Sequence, residues 1–283
     1  MKIVNNSELP KRADVLLADS NPEYSRAALA KLFQMGNITK NGKILKAGDK
    51  LQPGKNFFAD IEPINATAES IDIPIIFEDD NIIVIDKPAG VISHARGRYW
   101  DEPSVASFIR EKVSSLGGER AGIVHRLDRV TSGVMICAKN PETLSFLQKQ
   151  FADRKVKKQY TAIIKGEPKQ PEAIIDVPLA RNPKDPKTFC ADSEGRHAIT
   201  NYKVLKTNHR YSMVNLIPLT GRTHQIRVHL QYIKHPIVGD HIYDGEQADR
   251  LYLHAHSLEI TIPGGERKVF ESPMPNTFIE IVK

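Results

Sequence analysis

Apolar residues along this chain fall into two kinds of run. Ile75-Ile76-Phe77 is followed by the polar turn Asp79-Asp80-Asn81, then by Ile82-Ile83-Val84-Ile85, which Lys87-Pro88-Ala89-Gly90 brings to a stop. Four consecutive aliphatic residues between turn signals predict a buried strand. Further strand-like runs occupy Val134–Ala138, Tyr160–Lys165, Tyr202–Leu205 and Met213–Leu219. Helical stretches are predicted around Ser104–Val113, over Pro141–Phe151 and over Thr223–Ile233. Connections of hairpin length, with no repeating strand–helix–strand period, predict an α+β fold whose mixed, mainly antiparallel sheet carries peripheral helices. No internal repeat or low-complexity tract interrupts the pattern.

The N-terminal segment reads differently. Ser25 suits the N-cap of a helix through Ala27, Leu29, Leu32 and Phe33 that ends near Gly36. Ile38-Thr39, the turn signal Asn41-Gly42, Ile44-Leu45, and Gly48-Asp49 before Leu51 then predict short strands joined by hairpins. From Asp60 to Pro74 periodicity is lost, which predicts a linker. The expected organisation is a small domain over 1–61, a linker over 62–74 and a larger domain over 75–283.

Charge sharpens this division. Over the whole chain of 283 residues, 40 Lys and Arg oppose 34 Asp and Glu, a net charge of +6. Between Lys11 and Lys55, Lys11, Arg12, Arg26, Lys31, Lys40, Lys43, Lys46, Lys50 and Lys55 face only Asp14, Asp19, Glu23 and Asp49. Arg12-Ala13-Asp14, Ser25-Arg26, Gly36-Asn37-Ile38-Thr39-Lys40-Asn41-Gly42 and Gly48-Asp49 resemble the S4 RNA-binding domain, with Ala13 and Lys40 where that family more often carries Leu and Val. The resemblance implies an α/β module that docks on the phosphate backbone through Arg12, Arg26, Lys31 and Lys43. The plainer alternative is a basic module with solvated lysines.

A chain 40% apolar and 26% charged, with no apolar run near the ~18–20 residues that span a bilayer, predicts a soluble protein with no membrane partner. Asn5, Asn6, Ser7 and Glu8 stand where a signal peptide needs apolar residues, so a cytoplasmic location is expected. Cys137 and Cys190 cannot build a disulfide framework, and neither is given a part in the chemistry.

The stretch from Gly122 to Gly133 sets one carboxylate, Asp128, among His125, Arg126 and Arg129 directly before a strand. Charges drawn toward a core need partners. Asp128 could instead cap a turn through the Thr131 and Ser132 amides while the arginines stay solvated. Two further stretches stand out, Lys157-Lys158-Gln159-Tyr160-Thr161-Ala162 and Leu219-Thr220-Gly221-Arg222-Thr223-His224-Gln225-Ile226-Arg227-Val228-His229-Leu230, the latter leading to His235-Pro236-Ile237-Val238-Gly239-Asp240. Arg154-Lys155 and Lys157-Lys158 suit a phosphate-contacting rim beside Tyr160, or a solvated charge run. No metal site is expected: His224 and His229 lie five apart, off the spacing that aligns two ligands on a helix face, and His254 and His256 read as structural residues on a strand. Lys87-Pro88-Ala89-Gly90 lacks the glycine spacing of a nucleotide loop.

Taken in order, His125-Arg126-Leu127-Asp128 with Thr131-Ser132-Gly133, then Lys158-Gln159-Tyr160-Thr161-Ala162, then Gly221-Arg222-Thr223-His224-Gln225-Ile226-Arg227 resemble the RluA family of pseudouridine synthases, over the span from about Ile75 to the C-terminus. The resemblance implies an enzyme that converts uridine in RNA to pseudouridine without a cofactor. The C1′–N1 bond breaks, the base turns in place, C1′ joins C5, and C5 loses its hydrogen. Asp128 matches the family's catalytic aspartate, Tyr160 its active-site tyrosine and Arg227 its basic partner, with Arg222 as the runner-up for the contact to Asp128. Burial can raise a carboxyl by about 3–5 units, so a cation beside it is needed to keep it ionised, and a planar guanidinium fork suits that task. Arg126 matches the residue that fills the gap left by a flipped base, and His125 is expected to orient the loop. With an S4-like domain, the resemblance favours large-subunit (23S) ribosomal RNA as substrate and a monomer as the working form. A transfer RNA substrate and a non-catalytic ribosome-assembly factor are the alternatives.

Overall fold

The computed structural model describes residues 1–22, 24, 26–65, 71–94, 102–110, 112–113, 116 and 122–283. Ser25, expected as a helix N-cap, lies outside them. The chain divides into two compact units, one built on residues 1–71 and one on 72–94 with 105–283. Among the described residues no helix is long and apolar enough to cross a membrane.

In the first unit, helices Ala13–Asp19 and Arg26–Gln34 pack with a four-stranded sheet ordered Lys2–Val4, Asn56–Ala59, Ile38–Lys40, Lys43–Ile44. Leu16, Leu17, Leu29 and Leu32 on the helices bury against Ile3, Ile38, Leu51 and Phe57. The second helix ends as its glycine predicts: the chain reverses beyond Gly36, and the Asn37 N–H returns to the Leu32 carbonyl at 2.9 Å. The Asn41-Gly42 turn joins a hairpin in which Thr39 faces Ile44. Lys50–Leu51 departs from the hairpin pattern and pairs instead with Lys11–Arg12. Residues 62–74, expected as linker, open with the helical turn Glu62–Asn65, and Ile73 near their end is buried.

The second unit is organised by a nine-stranded sheet, ordered Glu172–Asp176, Ile199–Thr207, Tyr211–Pro218, Lys157–Lys165, Leu253–Thr261, Ser132–Ala138, Ile82–Lys87, Ile75–Glu78, with Arg267–Glu271 also on Leu253–Thr261. Most neighbours are antiparallel, and Leu253–Thr261 meets Ser132–Ala138 in parallel, His254 opposite Ser132. Ile82–Ile85 are fully buried, as four unbroken aliphatics require. Strands with one wet face were harder to see. Glu172–Asp176, at an end of the sheet order, fully buries only Ile175, and Lys157–Lys165 starts three residues before the apolar run because Lys157 and Lys158 pair with Glu259 and Leu258. Helices Val105–Arg110, Pro141–Ala152 and Gln225–Tyr232 match the predicted helical stretches. Pro141 stands at the first helical turn, and Asn140 accepts the Thr143 N–H at 2.9 Å as its cap.

Two glycines decide where the chemistry-bearing segments lie. Gly133 has φ +117°, and a Cβ there would come within 2.2 Å of the Ala255 carbonyl oxygen, so only glycine lets these strands approach. Gly239, at φ +81°, would drive a Cβ to 1.7 Å from the Arg250 carbonyl oxygen, and its turn delivers Asp240.

Candidate active site

The segment before Ser132–Ala138 is held at three points. His125 Nε2 accepts the Ile136 N–H at 3.1 Å while its ring stacks on Phe151 with centroids 4.6 Å apart. Ser93 Oγ donates to the Leu127 carbonyl at 2.8 Å and accepts the Leu127 N–H at 3.1 Å. Lys87, wholly buried, donates to the carbonyls of Pro88 (2.8 Å), Val91 (2.7 Å) and Arg129 (3.1 Å). Burial pulls the Lys87 pKa down to about 7, whereas three carbonyl acceptors call for all three ammonium hydrogens. The Lys-Pro-Ala-Gly segment thus clamps the loop, a role its sequence did not announce. Burial pushes the His125 pKa down to about 3, so the ring is neutral at physiological pH.

Between these anchors Arg126 and Asp128 face a pocket of about 610 Å³, a size typical of small-molecule sites. Tyr160, Arg222 and Arg227 line the same pocket, so all six residues singled out in this domain converge there. Asp128 does not cap its turn. The Thr131 N–H bonds the Asp128 backbone carbonyl at 3.1 Å, and among the described residues no hydrogen bond reaches the Asp128 carboxylate. Arg126 lies exposed at the pocket wall. Tyr160 is half-buried, and burial with the nearby Asp128 raises its pKa, so the phenol keeps its proton.

Arg227 stands beside Asp128, but its fork is placed elsewhere than expected. Its fork lies on Asp240, with Nε to Oδ2 at 2.7 Å and Nη2 to Oδ1 at 2.6 Å. That side-on arrangement leaves Nη1 turned toward Asp128 Oδ2, at 3.7 Å. Burial works against the Arg227 charge, but the Asp240 bonds and the field of both carboxylates outweigh it and raise the pKa. Arg222, the runner-up, gives its Nε to the His197 carbonyl at 3.0 Å instead. Local sequence could not reveal this competition, because Asp240 arrives from a separate turn thirteen residues past Arg227.

His224, set aside as a metal ligand, also belongs to the site. It adopts a left-handed conformation (φ 56°) immediately before helix Gln225–Tyr232, an uncommon geometry for a residue with a side chain. Its Nδ1 lies 2.7 Å from the Tyr243 hydroxyl, whose oxygen already accepts the Phe189 N–H at 3.0 Å. With one lone pair taken by Phe189, the Tyr243 hydrogen is free to point at Nδ1, and in that tautomer the imidazole proton sits on Nε2, 3.8 Å from Asp128 Oδ2. Burial lowers the His224 pKa more than the Asp128 charge raises it, so the ring beside the carboxylate is neutral. The signal available in sequence was position alone, three residues before Arg227.

Elsewhere the readings were simpler. His254 lies on strand Leu253–Thr261 with Nδ1 2.9 Å from Ser132 Oγ, a structural bond. Among the described residues no three His, Cys, Asp or Glu side chains gather to hold a metal ion. Arg12, Arg26, Lys31 and Lys43 belong to the first unit; the Arg12 fork is taken by Asp14 at 2.9 and 2.8 Å, and Arg26 and Lys43 are exposed.

Comparison with known proteins bears on the whole arrangement. The family described as RNA pseudouridylate synthase matches residues 81–232. An uncharacterized RNA pseudouridine synthase of Aquifex aeolicus is 38% identical over 95% of this chain and 92% of its own length. Ribosomal large subunit pseudouridine synthase D of Borreliella burgdorferi is 36% identical over 95% of this chain and 87% of its own. Among solved structures, human RNA pseudouridylate synthase domain containing 1 superposes with a TM-score of 0.61 at 28% identity, covering 72% of this chain and 84% of that one.

Proposed function

This chain belongs to the RNA pseudouridylate synthase family, and from that premise we propose that it isomerises uridines of large-subunit ribosomal RNA with Asp128 as the reacting carboxylate. The observation that carries the reading is an Asp128 carboxylate with no hydrogen bond among the described residues, aimed into a pocket and flanked at 3.7 Å by an arginine whose other nitrogens are already committed. Binding alone has no use for such a group. The ribosomal target is supported by relatives named for the large subunit in Borreliella burgdorferi and Pseudomonas aeruginosa, 36% and 32% identical.

Each residue then has a task. Flipping the uridine out of its stack costs a few kcal/mol, and Arg126, exposed beside the pocket, fills the space it leaves. Tyr160 lays its ring against the uracil, where base–aromatic stacking contributes about 1–3 kcal/mol without reading sequence. Asp128 attacks the nucleoside as C1′–N1 breaks, and Arg227 Nη1 with His224 Nε2–H keeps negative charge on Oδ2 favourable. The pocket holds the detached base while it turns; as C1′ joins C5 the bond between C1′ and Asp128 breaks, which frees the carboxylate, and the C5 hydrogen leaves as a proton to water.

The experiment is tritium release from 5-³H-uridine-labelled, unmodified ribosomal RNA and, separately, transfer RNA, with a chelator present. Release from ribosomal RNA alone is expected. Release from transfer RNA alone would move the substrate, and none from either with tight binding intact would favour the assembly-factor alternative. The S4-like reading of the first unit makes its own prediction. The exposed Arg26 and Lys43, both changed to Gln, should lower the slope of log affinity against log salt by about 1–2, roughly one phosphate contact each. An unchanged slope in filter-binding titrations would remove these residues from the RNA interface.

A further inference from the structure

Among the described residues six cationic side chains line the pocket, Arg126, Arg154, Lys157, Lys158, Arg222 and Arg227, against the single carboxylate of Asp128. Most are accounted for. Arg227 is forked on Asp240, Lys157 pairs with Glu259 at 3.1 Å, and Arg222 is bonded to the His197 carbonyl. Arg126 and Arg154 are exposed, where water satisfies them. Lys158 differs from all of these. It is half-buried, yet among the described residues no hydrogen bond or ion pair reaches its ammonium. Burial lowers its pKa, with no carboxylate among the described residues to offset the cost.

Its position is defined by both neighbours on the pocket wall. Lys158 precedes Tyr160 by two residues on strand Lys157–Lys165, and both side chains line the pocket. Across from it stands Gly221, where a Cβ would lie 3.8 Å from the Lys158 Nζ. The absent side chain leaves the ammonium open to a ligand. A desolvated cation with no partner, beside the aromatic ring proposed to stack the base, needs an anion supplied from outside.

The reaction itself identifies that anion. Once C1′–N1 is broken, base and sugar are no longer joined, and C1′ must stay in place while the base turns. Holding the sugar requires a grip on its phosphodiesters, the only charged groups of the nucleotide. An ammonium is a compact point charge suited to a phosphate oxygen, whereas the uracil carbonyls are neutral. We propose that Lys158 is the binding residue for a phosphodiester next to the flipped uridine, anchoring the sugar on the side of the pocket formed by Gly221 and Tyr160. This rests on the assignment of the pocket to a uridine of RNA, and not on which RNA supplies it.

The test uses the full chain and three probes: uridine, uridine 5′-monophosphate and uridine 3′-monophosphate, titrated calorimetrically. One monophosphate should bind at least about tenfold more tightly than uridine, and which one tells whether the 5′ or 3′ phosphate is held. Lys158→Met should erase that preference while leaving uridine binding unchanged, and Lys158→Arg should restore most of it. Equal affinity of the wild type for all three probes, or a preference that survives Lys158→Met, overturns the proposal. If the preference follows Lys158 but tritium is not released from ribosomal RNA, the phosphate subsite stands and only the ribosomal target falls.

Discussion

Asp128→Asn should lower pseudouridine formation by at least about a thousandfold, ~4 kcal/mol of transition-state stabilisation, while RNA affinity stays within about threefold. Asparagine keeps the shape of the side chain and removes its charge. Because no hydrogen bond within the described residues reaches the carboxylate, the fold loses little. Its neighbours lose more: Arg227 Nη1 at 3.7 Å and His224 Nε2 at 3.8 Å would face a neutral amide. Single-turnover tritium release and filter binding on the same preparation separate the two effects. Turnover within tenfold of wild type would take Asp128 out of the chemistry. A large loss of stability would instead revive the turn-capping role that the backbone bond from Thr131 argues against.

The second large effect concerns the carboxylate on which the arginine is forked. Asp240→Ala should destabilise the protein by about 3–5 kcal/mol, the usual cost of leaving one member of a buried ion pair alone. For a unit of this size that corresponds to a fall in melting temperature of about 6–20 °C. The Asp240 side chain is 0% exposed and that of Arg227 4%, so water cannot replace the lost contact. Asp240 also accepts the Ile242 and Tyr243 amides at 3.2 Å each, and those donors would be left unpaired. The double variant Asp240→Leu with Arg227→Met should recover much of the stability, because an apolar pair of similar volume carries no desolvation cost. It should not recover turnover. A double variant that isomerises at the wild-type rate would show that Arg227 serves only the fold. An Asp240→Ala protein melting with the wild type would contradict the buried pairing itself.

Much of this was legible from residue order, for physical reasons that differ from segment to segment. Ile82–Ile85 announce a buried strand because no polar residue interrupts them, and the observed strand is buried through those four positions. Asn140 and Pro141 mark a helix start because a cap and a fixed φ act within one turn. Strand Glu172–Asp176 escaped notice because one fully buried side chain in five residues leaves no alternation to read. Lys87 looked like the end of a strand and proved to be a clamp, since its acceptors include a carbonyl 42 residues away.

The same distinction runs through the site. The order and spacing of Asp128, Tyr160 and Arg227 were enough to bring the family into view, and with it the chemistry, because those residue types are read within short local segments. The partners of each group were settled by folding. Arg227 could have forked either carboxylate, and it took Asp240 because the turn at Gly239 delivers that side chain within 2.7 Å, leaving Nη1 alone for Asp128. His224 meets Tyr243, nineteen residues on, and Lys158 faces a glycine across the pocket. Local sequence carries periodicity and residue chemistry. Which of several distant groups satisfies a given charge depends on distances that arise when separate strands and turns pack together, and there the choice of partner is made.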